Sequence, residues 1–234
     1  MLVKEIIQRV QSLYSKGVQS SDSRLTARHI FNKVLTVRTK LLSQQSAKKQ
    51  KISDWNYQTI SCIELVEIPP HQCPCIPPLG CELVRSKFKL PKPIMNLSNH
   101  IIKNVSSIDG SVRYSEITLS EKKYKSGNKY TANKPDYFIQ DGFLYLTHKK
   151  GTPRVVMLTG LFEDPIQVKD FEIMCSEDSM MDCLSPLDYD FPIDADMVDT
   201  LIQLSVEELV RFFNVEGQED FTTNSRDDAA KDRQ

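Results

Sequence analysis

Apolar residues recur at helical spacing near both ends of the chain. One pattern covers residues 2–14, the longest covers residues 24–49, and a third covers residues 195–214. Because residues three and four positions apart lie on one side of a helix, these patterns predict three amphipathic helices. Gly17 is expected to end the first helix. The third pattern is apolar over a wide surface, so we expect this helix to be mostly buried, against the helix at 24–49.

The middle of the chain favours strands. Four runs there are rich in β-branched and aromatic residues, a composition typical of strands. They are residues 61–68, 83–90, 111–119 and 154–162. Gly160 lies inside the last run and predicts a β-bulge at that position.

Asp141-Gly142 separates two further β-rich runs and is typical of a two-residue type I′ hairpin turn. This turn would pair Ile139 with Leu144, and Phe138 with Tyr145. Both faces of the hairpin are then apolar. Such a hairpin is either covered on both sides or uses one face as a subunit interface, so these four residues are interface candidates.

Three stretches follow neither period. Residues 69–81 are rich in proline, which excludes a helix, and residues 163–193 are acidic and predict an irregular connection. Residues 215–234 are too polar to fold alone. The order of elements predicts an α+β fold with terminal helices packed together, an inserted antiparallel β-rich domain and an extended polar C-terminal tail. The predicted domains are a helical body (1–52 and 194–214), a Pro/Cys-rich and β-rich insert (53–193) and the tail (215–234).

The formal net charge of -1 hides an uneven distribution. Residues 1–54 contain 11 basic and 3 acidic side chains, whereas residues 161–234 contain 5 basic and 20 acidic ones. The near-neutral total excludes a uniformly basic nucleic-acid coat. Two interpretations stay open: solvated faces that differ in sign, or an electric asymmetry that lets subunits stack head to tail.

Three arginines flank the apolar face of the helix predicted at 24–49. Helical spacing places Arg24, Arg28 and Arg38 beside that face, with Lys33 and Lys40 pointing away. Such arginines can extend along the rim of a core, which is the commoner arrangement. Alternatively they form a basic face towards phosphates or an acidic neighbour, which makes them further interface candidates.

Candidate chemistry is sparse. The cluster His71, Cys73, Cys75 and Cys81 offers soft ligands, but its spacing departs from the paired C-x2-C of zinc knuckles, so buried thiols are the simpler interpretation. The sequence contains no Walker loop, G-x-G-x-x-G, G-x-S-x-G or H-E-x-x-H motif. We therefore expect neither an enzyme nor a bound cofactor. The chain also has no run of 18 apolar residues, so we expect no membrane span.

Several segments together resemble a structural protein of crAss-like phages. They span most of residues 1–214: SSDSRLTARHIFNKVLTVRTKLL (20–42), KISDWNYQTISCIELVEIP (51–69), CPCIPPLGC (73–81), DYFIQDGFLYL (136–146), RVVMLTGLFEDP (154–165) and FPIDADMVDTLIQLSVEELVRFF (191–213). Helices at both ends around a β-rich insert are also similar to the tail tubular A-like adaptors of short-tailed phages.

The resemblance implies a virion protein at the head–tail junction, assembled in the cytoplasm of the bacterial host. Such adaptors form a ring, usually dodecameric, below the portal, and continue the DNA channel towards the tail. The implied partners are further copies of the chain, the portal protein, adjacent ring or tail proteins, and double-stranded DNA that passes without sequence-specific binding; no membrane is implied. An alternative function is a nucleic-acid-binding phage protein, with a structural zinc site at the Cys/His cluster.

Overall fold

Helices and strands separate into two units in the computed structural model of the chain. The structure describes residues 1–17, 25–68, 83–97, 99–126, 130, 134–147, 153–175 and 185–212. The helical unit comprises Met1–Leu42 with Leu184–Gln234, and the barrel unit comprises Ser43–Cys183. The helices are α1 (Val3–Tyr14), α2 (Ala27–Ala47), α3 (Leu119–Ser126), α4 (Pro165–Cys175) and α5 (195–212).

The core of the helical unit brings the two ends of the chain together. Apolar residues of α1, α2 and α5 form one buried cluster, which includes Val10, Ile30 and Leu201, each 0% exposed. α1 ends as predicted, because Gly17 takes the left-handed conformation (φ 82°) and its amide donates to the Ser12 carbonyl at 2.9 Å. The predicted packing of N- and C-terminal helices is confirmed.

The barrel unit is built on a closed sheet of seven strands. Its strands, with a separate two-stranded hairpin, are β1 (Gln58–Glu67), β2 (Leu83–Ser86), β3 (Met95–Asn96), β4 (Asn99–His100), β5 (Ile102–Ser107), β6 (Arg113–Glu116), β7 (Asp136–Gln140), β8 (Phe143–Thr147) and β9 (Val155–Gly160). The barrel order is β1-β2-β8-β7-β6-β5-β9, and β3 pairs with β4 alone. Neighbouring barrel strands are antiparallel except β6 and β7, which are parallel and have α3 between them in the chain. The α+β class is confirmed.

The predicted hairpin register is confirmed. Ile139 pairs with Leu144 and Phe138 with Tyr145. Asp141 and Gly142 both have positive φ, 53° and 81°, as a type I′ turn requires.

Side chains fill the barrel. Inward-facing residues such as Ile60, Leu146 and Leu158 are 0% exposed, and α4 adds Val168 and Phe171 to the same core. A small barrel of this strand number is just wide enough to be packed by its own side chains. The interior of the barrel is therefore a packed core.

A bulge does lie at the pairing of Gly160, but Gly160 is not the extra residue. The extra residues lie in the two strands beside β9: one between Ile60 and Ile63 of β1, and one between Ile102 and Asn104 of β5. The glycine instead permits close packing, because a β carbon at Gly160 would lie 3.3 Å from the carbonyl oxygen of Ile101.

The prediction of an irregular connection over 163–193 is also wrong in part, because α4 forms there. Asp164 accepts a hydrogen bond from the amide of Ile166 at 2.9 Å, and Pro165 occupies the first position of the helix. An aspartate followed by a proline is a recognised signal for a helix start, so the sequence did contain this information.

α3 begins with a similar signal. The carboxylate of Glu121 accepts from the amide of Thr118 at 2.9 Å, and the Thr118 hydroxyl accepts from the amide of Glu121 at 3.3 Å. This reciprocal pair is the capping box that the sequence T-x-x-E encodes. Lys125 then forms an ion pair with Asp136 at the start of β7.

Residues 69–81 and the predicted tail 215–234 lie outside the described residues. The domain boundaries at 52/53 and 193/194 stay a prediction. In the described part of the chain, no helix combines the length and the apolar character needed to cross a membrane.

Candidate assembly surfaces

The β7–β8 hairpin is apolar on both faces, and each face packs on other residues. Leu144 is 0% exposed and belongs to the barrel core, which Ile139 borders. On the outer face the rings of Phe138 and Tyr145 stack with centroids 4.9 Å apart. They join Ile68 and Leu83 in a second small cluster. Of the four hairpin candidates, Ile139 and Tyr145 keep exposed surface.

The predicted arginines occupy different environments. Arg28 is exposed, whereas Arg38 is 0% exposed in the core of the helical unit. The Arg38 Nε donates to the carbonyl of Pro192 at 3.0 Å, and its guanidinium lies 5.6 Å from the centre of the Phe191 ring. Arg38 thus holds the segment before α5 against α2. Arg24 lies outside the described residues.

Basic and acidic ends of the chain pair within the helical unit. Lys4 donates to Asp188 at 2.7 Å, and Lys33 donates to Glu208 at 3.1 Å. Lys40 also approaches Glu208, at 3.6 Å. The prediction that Lys33 and Lys40 point away from the packed side of α2 is wrong, because α5 presents Glu208 to both. Part of the charge asymmetry along the chain is therefore neutralised inside one unit.

A groove lies between α1 and α5. Its volume is about 390 Å³ and its lining is Arg9, Ser12, Leu13, Asp199, Ile202 and Gln203. Leu13 is 55% exposed at this groove, whereas Ile202 is buried at 3%. The groove therefore offers apolar surface beside one arginine and one aspartate.

A cleft of about 420 Å³ borders Ile139 in the barrel unit. His100, Glu116, Glu121 and Gln140 also line it. The His100 Nδ1 lies 4.0 Å from a carboxylate oxygen of Glu116. Burial lowers the pKa of the His100 imidazole and raises the pKa of the Glu116 carboxyl, because desolvation penalises the charged form of each.

These pKa shifts predict an acid dependence of stability. In the unfolded chain His100 takes up its proton near pH 6.5, whereas in the folded chain its pKa is lower. Below about pH 6.5 the unfolded chain therefore binds more protons at this residue, and the free energy of unfolding falls. We expect His100→Asn to lose less melting temperature between pH 7.5 and 5.5 than the wild type. Glu116→Gln is the matched control: the raised pKa of Glu116 favours folding as the pH falls through that pKa, so this variant should lose more when the range is extended to about pH 4.5. Identical losses in all three proteins would contradict the assignment.

A second cleft, of about 580 Å³, lies beyond the C-terminal end of α2 in the barrel unit. Three lysines line it, Lys49, Lys51 and Lys103, together with Ser46 and Tyr57. Lys103 binds Asp54 at 2.6 Å and lowers the pKa of that carboxyl by hydrogen bonding and charge. Lys49 and Lys51 are exposed. The cleft therefore has an excess of positive charge.

The β3–β4 hairpin presents exposed apolar side chains beside this cleft. Its connection contains Leu97, which is 96% exposed and has a positive φ of 55°. Met95 is 45% exposed. Sequence reasoning missed this feature, because a two-residue strand has too few positions to show a period.

Among the described residues, no three histidine, cysteine or acidic side chains come together as a metal site would require. The candidate ligands His71, Cys73, Cys75 and Cys81 lie outside the described residues, so the zinc hypothesis stays untested.

Comparison with known proteins places these surfaces in context. The profile of the family described as phage tail ring protein 2 matches residues 5–229. The chain belongs to the phage tail ring protein 2 family of crAss-like phages. It is also 31% identical over 201 residues to Ring protein 2 of Bacteroides phage crAss001, a match that covers 82% of this chain and 84% of that protein.

Membership in this family confirms the resemblance to a structural protein of crAss-like phages. The family consists of structural phage tail ring proteins, and a ring protein assembles with further copies of itself. A ring needs two different complementary surfaces on each subunit, since every copy contacts one neighbour with each. The grooves, charged clefts and exposed hairpin described above are the candidates for those surfaces.

Proposed function

We propose that this tail ring protein forms a dodecameric ring at the head–tail junction, below the portal. There it joins the capsid to the tail and continues the DNA channel during genome ejection. Its proposed partners are further copies of itself, the portal protein and the adjacent ring or tail proteins. The assignment to the tail comes from the family, and the position at the connector is our proposal.

The packed barrel is the observation that carries the channel proposal. Ile60, Leu146 and Leu158 fill the barrel, so no DNA can pass through a single subunit. A channel through such a protein has to lie between copies, on the axis of a ring. Ring closure requires heterologous contacts that repeat around the axis.

We propose that double-stranded DNA passes along this axis without sequence-specific binding. Lys4 and Lys33 already neutralise Asp188 and Glu208, whereas Glu207 stays exposed on α5. Exposed carboxylates repel DNA phosphates, so a wall that carries them favours sliding over retention.

Cross-linking of intact particles, followed by mass spectrometry of the linked peptides, tests the position of the ring. We expect links between neighbouring copies of this chain and links from this chain to the portal protein. The purified chain is the matched control, in which only links between copies should form. Light scattering on that sample should give about twelve times the 26.8 kDa subunit mass if the dodecamer forms without its partners.

Links to distal tail proteins alone would contradict the connector position and leave ring formation intact. A monomer that binds DNA with a steep salt dependence would instead support the nucleic-acid-binding alternative.

A further inference from the structure

We propose that Leu97 of one copy inserts into the groove between α1 and α5 of the next copy in the ring. The groove is the one lined by Arg9, Leu13, Asp199 and Ile202, with Ser12 and Gln203. This inference rests on ring formation, and it does not depend on where the ring stands in the particle.

Leu97 has an unusual conformation for its residue type. Its φ of 55° lies in the left-handed region, where the β carbon of a leucine is crowded by its own backbone. Asparagine or glycine occupies this region more easily. The side chain is also 96% exposed to water. Neither the backbone conformation nor solvation explains a leucine here, whereas burial against a partner does.

The hairpin that carries Leu97 is held firmly at its base. The Ser43 hydroxyl donates to the Met95 carbonyl at 3.2 Å, and the Asn96 side-chain amide donates to the Ser46 hydroxyl at 3.0 Å. The amide of Ile94 donates to the Leu161 carbonyl at 2.8 Å. A tip held in this way loses little conformational freedom on docking, which favours binding.

The groove matches an apolar knob. Leu13, at 55% exposure, supplies most of its accessible apolar surface, because Ile202 is only 3% exposed. Its volume of about 390 Å³ lies in the range of clefts that take small-molecule ligands, so it has room for more than one side chain. Leu97 and Met95, which is 45% exposed, together supply the apolar groups that would enter it.

Charges around the two surfaces are complementary, which favours a second copy as the occupant. Ser46, which binds the hairpin, also lines the cleft that holds Lys49 and Lys51. The groove lining contains both Arg9 and the exposed Asp199, and Asp196 is exposed one helical turn before Asp199, so carboxylates outnumber the arginine there. The lysines of one copy would therefore approach the carboxylates of the next. A protrusion and a groove on the same chain form a heterologous contact, which generates a ring when the rotation closes.

Photocross-linking of the full chain tests the contact. A benzophenone amino acid replaces Leu97 in isotopically heavy protein, which is mixed with unlabelled protein before assembly and irradiation. We expect heavy–light links to peptides that contain residues 9–13 or 199–203. The same probe at Ile108, another apolar residue of the barrel unit at 62% exposure, is the control and should not label those peptides. Links elsewhere, or none, would overturn the proposal.

Two substitutions separate assembly from folding. Leu97→Asn removes the apolar side chain but suits the left-handed backbone, so its melting temperature should equal or exceed that of the wild type. Its assembly should weaken at least about tenfold in subunit concentration, as expected when one buried leucine is lost. Leu97→Met keeps an apolar side chain and should assemble almost normally. Wild-type assembly of Leu97→Asn would refute the inference, and a wild type that forms no ring would instead refute ring formation.

Discussion

Replacing Leu144 with alanine is expected to lower the free energy of unfolding by about 2–5 kcal/mol. The side chain is 0% exposed and packs in the barrel core with Leu146 and Leu158. Truncation removes buried apolar surface and leaves a cavity that the closed barrel cannot collapse to fill. Urea denaturation followed by circular dichroism measures the change.

Ile139→Ala is the matched control for this variant. Ile139 pairs directly with Leu144 across the hairpin, but it is only partly buried. Its truncation should cost roughly half as much, because part of its surface already contacts water. If Leu144→Ala unfolds like the wild type and yet fails to assemble, Leu144 serves the interface and not the core.

Arg38→Ala is expected to cost roughly 3–5 kcal/mol in unfolding free energy, because it creates a cavity and leaves the Pro192 carbonyl unpaired. Arg38 has no exposed surface and its Nε donates to that carbonyl at 3.0 Å. Arg38→Met keeps the aliphatic stem and should cost roughly 1–3 kcal/mol, because it leaves the Pro192 carbonyl without this donor and removes the guanidinium from the Phe191 ring. Guanidinium denaturation followed by the helical circular dichroism signal is the measurement.

Arg28→Ala serves as the control, since Arg28 lies exposed on the same helix and its removal should change stability by less than about 0.5 kcal/mol. Equal effects at the two positions would show that Arg38 does not hold the segment before α5. The comparison also bears on assembly, because Arg28 is the one of the three candidate arginines that is both described and exposed.

The ring protein has two different candidate surfaces for contacts with neighbouring copies. One is the lysine-lined cleft beside the exposed β3–β4 hairpin, and the other is the groove between α1 and α5. Lys49 and Lys51 lie near the hairpin, whereas Asp196 and Asp199 lie on α5. Opposite charges at the two partners of a heterologous contact favour one orientation of the subunits and disfavour two copies that meet with the same surface. This is a physical route from an uneven charge distribution to a directional ring.

Local chemistry made several elements predictable. Asp141-Gly142 dictates its hairpin because both residues tolerate positive φ, and this turn sets the pairing of Ile139 with Leu144. The apolar period along α1, α2 and α5 follows from helix geometry and indicates which faces are buried. The signals that start α3 and α4, at Thr118 and Asp164, are equally local. The strand-like composition before α3 and the acidic residues around α4 obscured them.

Contacts between distant residues were not predictable in the same way. Lys33 and Glu208 are 175 positions apart, and Lys4 and Asp188 are 184 apart. Helical spacing places Arg38 beside an apolar face, but only the approach of Pro192 buries its guanidinium. Similarly, the bulge of β5 lies opposite Gly160 and that of β1 opposite Met157, so both depend on how the neighbouring strands fit against β9.

The opposite charges of the chain's two ends show which features the sequence determines and which depend on the tertiary structure. Sequence alone established that the ends differ in sign and that both form amphipathic helices, because charge and period are properties of neighbouring residues. Folding then brought the two ends into one unit, where Lys4, Lys33 and Lys40 neutralise Asp188 and Glu208. Which charges pair and which remain for a neighbour depends on the burial of apolar faces far apart in the chain, and no local pattern encodes that choice.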